Sequence, residues 1–208
     1  MSTVNPSRRE LQARQTRAAV VQAAAELFLD RGYAATTIDQ VAARAGVSRP
    51  TVFSVGTKAA LLSLARDVAM AGDDKQLTIT QRESAQRVLA EPDPHRLLAL
   101  LAEHVIGVQE RYGRLDEVLH SAAGGDTELA ALWRTSEEQR RAGAGLFLQA
   151  LAARAPLTQP VAQAIDVLWL FMAPDLHTRL VRDRGWSRER YAAWWVHATG
   201  ALLLEPQG

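Results

Sequence analysis

A chain of 208 residues, 48% hydrophobic and 23% charged, has room for one ordinary domain or two small ones sharing a core. It has no cysteine, which excludes disulfides and thiolate zinc sites, and its longest wholly apolar run, 167–173, is far too short to span a membrane. The net charge of +1 is unevenly spread: residues 1–58 carry eight Lys/Arg against four Asp/Glu, and the remainder carries sixteen against nineteen. A basic first quarter on an otherwise acidic chain makes a polyanion the expected partner of that end.

Alanine and leucine dominate and β-branched runs are few, so helices are expected throughout. Residues 1–17 are polar, with Arg8, Arg9, Arg14 and Arg17 and no apolar secretion core, which predicts a cytoplasmic protein. Ser7 and Glu10 have the spacing of a capping box, and Val20, Ala24, Leu27 and Phe28 form the stripe of the helix it opens, up to Gly32. Thr37 and Gln40 repeat the box before a short helix that buries Ile38, Val41, Ala42 and Ala45. Gly46 then supplies a left-handed cap, and Ser48 caps a third helix with Pro50 in its first turn, where a missing N–H costs little. Two short helices joined by Ala45-Gly46-Val47-Ser48 have the chemistry of a helix-turn-helix. Val47 should point inward and Arg49, Pro50 and Thr51 outward.

A fourth helix is expected from Lys58, capped by Thr57, to about Met70, followed by an irregular stretch over 73–80. A weaker helix over 81–90 comes next. Asp93-Pro94 starts another, burying Leu97, Leu98, Leu101, Val105 and Val108. A separate short helix is predicted near 114–123, stopping at Gly124-Gly125, then a long one over 127–154. Two more close the chain, at 160–183, kinked or split by Pro174, and at 187–204. No strand-like alternation or internal repeat is present.

Nothing in the chain marks an enzyme. There is no nucleophile elbow or phosphate loop, no catalytic residue or cofactor is expected, and the five histidines are scattered without metal-ligand spacing. Buried polar positions are more informative. On the helix 127–154 the inward stripe runs through Leu129, Leu132, Trp133, Ser136, Arg140, Gly143, Phe147 and Leu151, so Ser136 and Arg140 interrupt an apolar line. His104 does the same between Leu101 and Val108. A buried polar group needs a partner from the protein or from a ligand, and Trp133, Phe147, Trp169 and Met172 supply apolar surface at compatible spacing. Plain core remains the competing reading for each.

Residues 16–62 closely resemble the DNA-binding domain of the TetR/AcrR family of regulators. The matching residues are Thr16-Arg17, Ala24, Leu27-Phe28, Gly32-Tyr33, Thr36-Thr37-Ile38, Val41-Ala42, Ala45 to Ser48, Thr51-Val52-Phe53, Lys58 and Leu61. The stretch from Leu180 to Trp194 looks like the last two helices of many members. Two features depart from the family pattern: Phe53 replaces the usual tyrosine, and the segment from Thr51 to Lys58 is one residue short, with Val55 near a common phenylalanine.

The resemblance implies an all-α protein of about nine helices. A three-helix helix-turn-helix domain would occupy 1–56, and a helical ligand-binding and dimerisation domain 57–208. It implies DNA contacts from Arg17, Thr37, Ser48, Arg49, Pro50, Thr51, Phe53 and Lys58. Arg49 either reads a base edge or holds a phosphate, and Thr37 and Ser48 either only cap or also bind phosphate. It implies a small, partly apolar effector among His104, Trp133, Ser136, Arg140, Phe147, Trp169 and Met172. It also implies a homodimer through Ile165, Leu168, Tyr191, Trp194, Trp195 and Leu202, because one small domain would struggle to bury so many large apolar side chains on its own. The expected function is that of a repressor on a palindromic operator, released by the effector. The alternative is a DNA-binding regulator without a ligand, controlled by abundance or a partner protein, in which His104, Ser136 and Arg140 satisfy one another.

Overall fold

The computed structural model describes residues 7–72 and 81–206; the stretch expected to be irregular, 73–80, lies outside them. Every named element among these residues is helical: α1 (Arg8–Ala35), α2 (Ile38–Ala45), α3 (Arg49–Val55), α4 (Lys58–Ala71), α5 (Glu83–Ala90), α6 (Pro94–Ala123), α7 (Thr127–Ala152), α8 (Val161–Phe171), α9 (Pro174–His177), a π-helical turn (Thr178–Asp183) and α10 (Arg188–Leu203). The chain forms two compact units, one of residues 1–68 with 114–132, the other of 69–113 with 133–208. The first is larger than the 1–56 module, because it takes in most of α4, the end of α6 and the start of α7.

In the first unit the capping signals act as the sequence predicts. The Ser7 hydroxyl accepts from the Glu10 N–H, and the Glu10 carboxylate accepts from the Ser7 N–H. Thr37 and Gln40 make the same exchange at α2. Gly46 sits at φ 67°, left-handed, so the Val47 N–H can return to the Ala42 carbonyl and close the helix end. Thr36 is buried and its hydroxyl donates toward the Gly32 and Leu27 carbonyls, sealing the end of α1. Val20, Leu27, Phe28, Val41, Val52, Leu61 and Leu62 are buried in this unit. Among them lies one buried ion pair, Arg66 of α4 with Asp116 of α6.

In the second unit α6, α7, α8 and α10 supply the core, from Leu97, Leu101 and Ile106 through Phe147 and Leu168 to Tyr191 and Trp195. Pro174 splits the penultimate helix as expected, opening α9 after the break. The last carbonyls of α8 then lack helical partners. The Trp195 indole N–H donates to the Phe171 carbonyl at 3.0 Å, and the Gln109 amide donates to the Ala173 carbonyl at 2.9 Å. The tail is pinned back by the Thr158 N–H on the Leu203 carbonyl and an isolated bridge between Leu157 and Leu204.

One expected boundary is absent. The separate helix at 114–123 is the last third of α6, which runs unbroken from Pro94 to Ala123. Gly113 keeps helical geometry there. Its missing side chain makes room for Pro174, whose Cβ would lie 3.3 Å from any Cβ added at Gly113. Val108, expected to be buried, is half-exposed.

Candidate nucleic-acid interface and ligand site

The N-terminus of α3, from Ser48 to Pro50, is exposed. Ser48 caps it, accepting from the Thr51 N–H at 3.3 Å, and the Ser48 and Thr51 hydroxyls are 2.8 Å apart. Pro50 occupies the second helical position, where its missing N–H leaves nothing unsatisfied. Arg49, Pro50 and Phe53 are exposed, Phe53 by 52% of its surface, while Val52 between them is wholly buried. Burying Val52 fixes the rotation of the helix, so the other three must face out. The Arg49 guanidinium lies 5.6 Å from the centroid of the Phe53 ring and 3.4 Å from the Asp39 carboxylate. Both partners of that ion pair are more than half exposed, so it is worth less than about 1 kcal/mol and yields readily to a stronger acceptor.

Thr37 and Arg17 are also exposed. Thr37 caps α2 and keeps its hydroxyl hydrogen to donate. Lys58 is placed differently from a free phosphate ligand. Its ammonium donates to the Tyr33 and Thr36 carbonyls at 2.9 and 3.0 Å and lies 4.1 Å from the Tyr33 ring centroid. Two of its three N–H groups therefore tie the start of α4 to the end of α1. Burial pulls its pKa below the ordinary lysine value, with the Asp126 charge opposing. Val47, expected to point inward, is half-buried.

In the second unit the anticipated ligand residues divide into two groups. His104 is buried, bonded through Nδ1 to the Ser84 hydroxyl at 2.9 Å and packed on Phe147 with centroids 5.6 Å apart. Burial, with the Arg111 charge adding to it, pushes the His104 pKa down to about 4, so the ring is neutral at pH 7. A cavity of about 280 Å³ opens beside it, lined by Ser84, Arg87, Leu100, Glu103, His104 and Arg188. The second group is Arg140, Trp169 and Met172. Arg140 pairs with Glu137 one turn back on α7, and its guanidinium lies 5.3 Å from the Trp169 ring centroid. A Cβ at Gly143 would touch the Met172 methyl at 3.9 Å. Trp133 and Ser136 are half-buried on the same helix, two turns and one turn before Arg140.

Residues 20–63 match the family model described as bacterial regulatory proteins, tetR family. That N-terminal segment is what the chain shares with the tetR family of bacterial regulatory proteins. The likeness in fold extends well beyond that segment. A complex of SmeT with triclosan superposes over 91% of this chain and 92% of its own, with a TM-score of 0.70 at 20% identity. NalD of Pseudomonas aeruginosa, described as the secondary repressor of the MexAB-OprM multidrug efflux pump, covers 94% of this chain and all of its own (TM-score 0.66, 24% identity). FadR of Bacillus subtilis in complex with stearoyl-CoA covers 88% of this chain and 96% of its own (TM-score 0.67, 14% identity). No curated protein sequence matches the chain.

Half of the anticipated dimer surface is interior. Leu168, Tyr191 and Trp195 are each wholly buried within the single chain. The reason is the break at Pro174: Trp195 is drawn inward by the Phe171 carbonyl, and Tyr191 approaches Gln109, which holds the Ala173 carbonyl. Ile165 and Trp194 are half-exposed and Leu202 is 48% exposed. Leu170 of α8, at 53% exposure, was not anticipated. Sequence reasoning also missed the partners Asp39, Ser84 and Glu137. Glu137 precedes Arg140 by three residues on a predicted helix, a readable signal. Asp39 and Ser84 lie ten and twenty residues from Arg49 and His104, with no local pattern to link them.

Proposed function

We propose that this regulator is a homodimeric, cytoplasmic repressor that reads a palindromic operator with α3 and is released by a small, partly apolar molecule bound in its second unit. The observation that carries the DNA half of the reading is the exposed start of α3. Arg49, Pro50, Thr51 and Phe53 follow a capped N-terminus whose N–H groups and dipole favour phosphate. Arg49 is the base-reading candidate, since arginine pairs in bidentate fashion with guanine, and the Thr51 methyl suits thymine. Arg17, Thr37 and Ser48 serve as backbone contacts. Lys58 acts mainly by holding α4 against α1, with one N–H left for a phosphate.

The ligand half is supported by the grouping of Arg140, Trp169 and Met172 and by the ligand-bound neighbours of the same fold. His104 bonds to Ser84 and Arg140 to Glu137, so both are partnered within the chain. Dimerisation is assigned to the surfaces of α8 and α10 that remain open, Ile165, Leu170, Trp194 and Leu202. Release follows if the ligand-bound dimer spaces its two α3 helices away from the roughly 34–36 Å of one DNA turn. Moving an operator from 99% filled to 1% filled needs about 5.5 kcal/mol of preferential binding to the released form.

Selection of bound duplexes from a random pool tests this reading. The expected product is a twofold-symmetric consensus with half-sites one turn apart. A lone half-site, or no consensus at any salt concentration, contradicts it.

A further inference from the structure

Among the buried side-chain atoms of the second unit without a hydrogen-bond partner among the described residues are two neighbouring donors, the Arg140 Nε–H and the Trp169 Nε1–H. They belong to side chains already in contact, the guanidinium 5.3 Å from the indole centroid. Buried donors are nearly always paired, and leaving two neighbouring ones orphaned is costly. Both atoms are closed to bulk solvent, so an acceptor must be brought to them.

The charge at this place narrows the acceptor. Arg140 is already neutralised by Glu137, and the two side chains are only 13% and 21% exposed. A carboxylate placed here would set two negative charges against one positive in a poorly screened site. An uncharged oxygen satisfies the donors without that repulsion. The surroundings narrow the rest of the molecule. The indole offers a flat apolar face, Met172 is an adaptable neighbour, and Gly143 presents no side chain.

We propose that Arg140 and Trp169 form the polar end of the effector site, and that they take an uncharged ligand carrying a carbonyl-type oxygen on a flat apolar body. This rests on the ligand-response reading above and names its chemical class. Trp169 and Arg140 are the residues that separate such ligands from plain hydrocarbons and from anions of the same shape.

Three matched probes test it on the full chain: acetophenone, ethylbenzene and benzoate, titrated by calorimetry with the indole N–H signals followed by NMR. The Trp169 signal is assigned by its loss in Trp169→Phe. Acetophenone is expected to bind about five- to tenfold tighter than ethylbenzene, to bind tighter than benzoate, and to move the Trp169 signal. Trp169→Phe and Arg140→Met are each expected to bring acetophenone down toward ethylbenzene and to leave ethylbenzene unchanged. Equal binding of acetophenone and ethylbenzene, tighter binding of benzoate, or no response to acetophenone up to its solubility overturns the proposal. If either variant fails to fold, the wild-type ranking and the indole shift still decide. Operator release is measured separately. Acetophenone that binds as expected but leaves the operator filled removes the release mechanism and keeps the site. Release by other molecules with no carbonyl response does the reverse.

Discussion

His104 shows how a single buried side chain gives the second unit an acid-sensitive group. Its imidazole accepts or donates one bond at Ser84, packs on Phe147, and has its pKa depressed from 6.5 to about 4, chiefly by burial. A depressed histidine favours the folded state when neutral, so its contribution is complete above about pH 6.5 and is lost as pH falls toward 4. The unfolded chain binds the extra proton across that window, and the sign is therefore destabilisation by acid. The shift corresponds to at most about 3 kcal/mol. Urea denaturation at pH 7 and pH 4.5 should show a drop in wild type that is clearly smaller in His104→Gln; equal drops would contradict this role. Arg66 and Asp116 make the other residue-scale test. Removing Asp116 takes away the buried counter-charge of Arg66, so Asp116→Ala should cost about 3–5 kcal/mol in denaturant unfolding. The double variant Arg66→Met with Asp116→Leu should recover most of that loss. This pair had no sequence signature, because its members stand fifty residues apart and each alone looks like a solvated charge.

At the scale of elements, what the sequence made legible is local. The caps at Ser7, Thr37, Ser48 and Thr57 were readable because each acts within three residues of itself. The shortened segment after α3 resolves into a two-residue turn, Gly56-Thr57, between Val55 and Lys58. Gly56 has extended backbone that any residue can adopt, so the requirement is steric. A Cβ there would stand 2.9 Å from the Ala60 Cβ. Gly56→Ala should lower stability by about 1–3 kcal/mol, the cost of overpacking a fitted contact, and Ala60→Gly in the same chain should return part of it. No loss in thermal unfolding would show that the turn can relax. The unbroken α6 was not legible, because the space that Gly113 leaves inside it is for Pro174, sixty-one residues away. The same distance effect misplaced Leu168, Tyr191 and Trp195. Hydrophobicity shows that such side chains are buried but not whether a second chain or their own chain buries them.

At the scale of the whole molecule, two features of the sequence point to one design. The basic first quarter carries the exposed α3, and the acidic remainder carries the interior groups assigned to the effector. The proposed dimerisation through α8 and α10 is the link that would make a twofold operator readable. Leu170→Glu with Leu202→Glu places charge on two exposed leucines and should leave the fold intact while converting the dimer to a monomer by light scattering. A dimer of unchanged mass would move the interface to another surface.

The most direct test is the affinity of Arg49→Ala for the selected operator and for an unrelated duplex of equal length, at one fixed salt concentration. The account places Arg49 on a base edge, so the substitution should weaken operator binding by about 1–3 kcal/mol, five- to about 150-fold. Binding to the unrelated duplex should fall by much less, so that discrimination between the two shrinks. An equal loss on both duplexes would make Arg49 a phosphate contact and contradict the assignment of α3 as the reader.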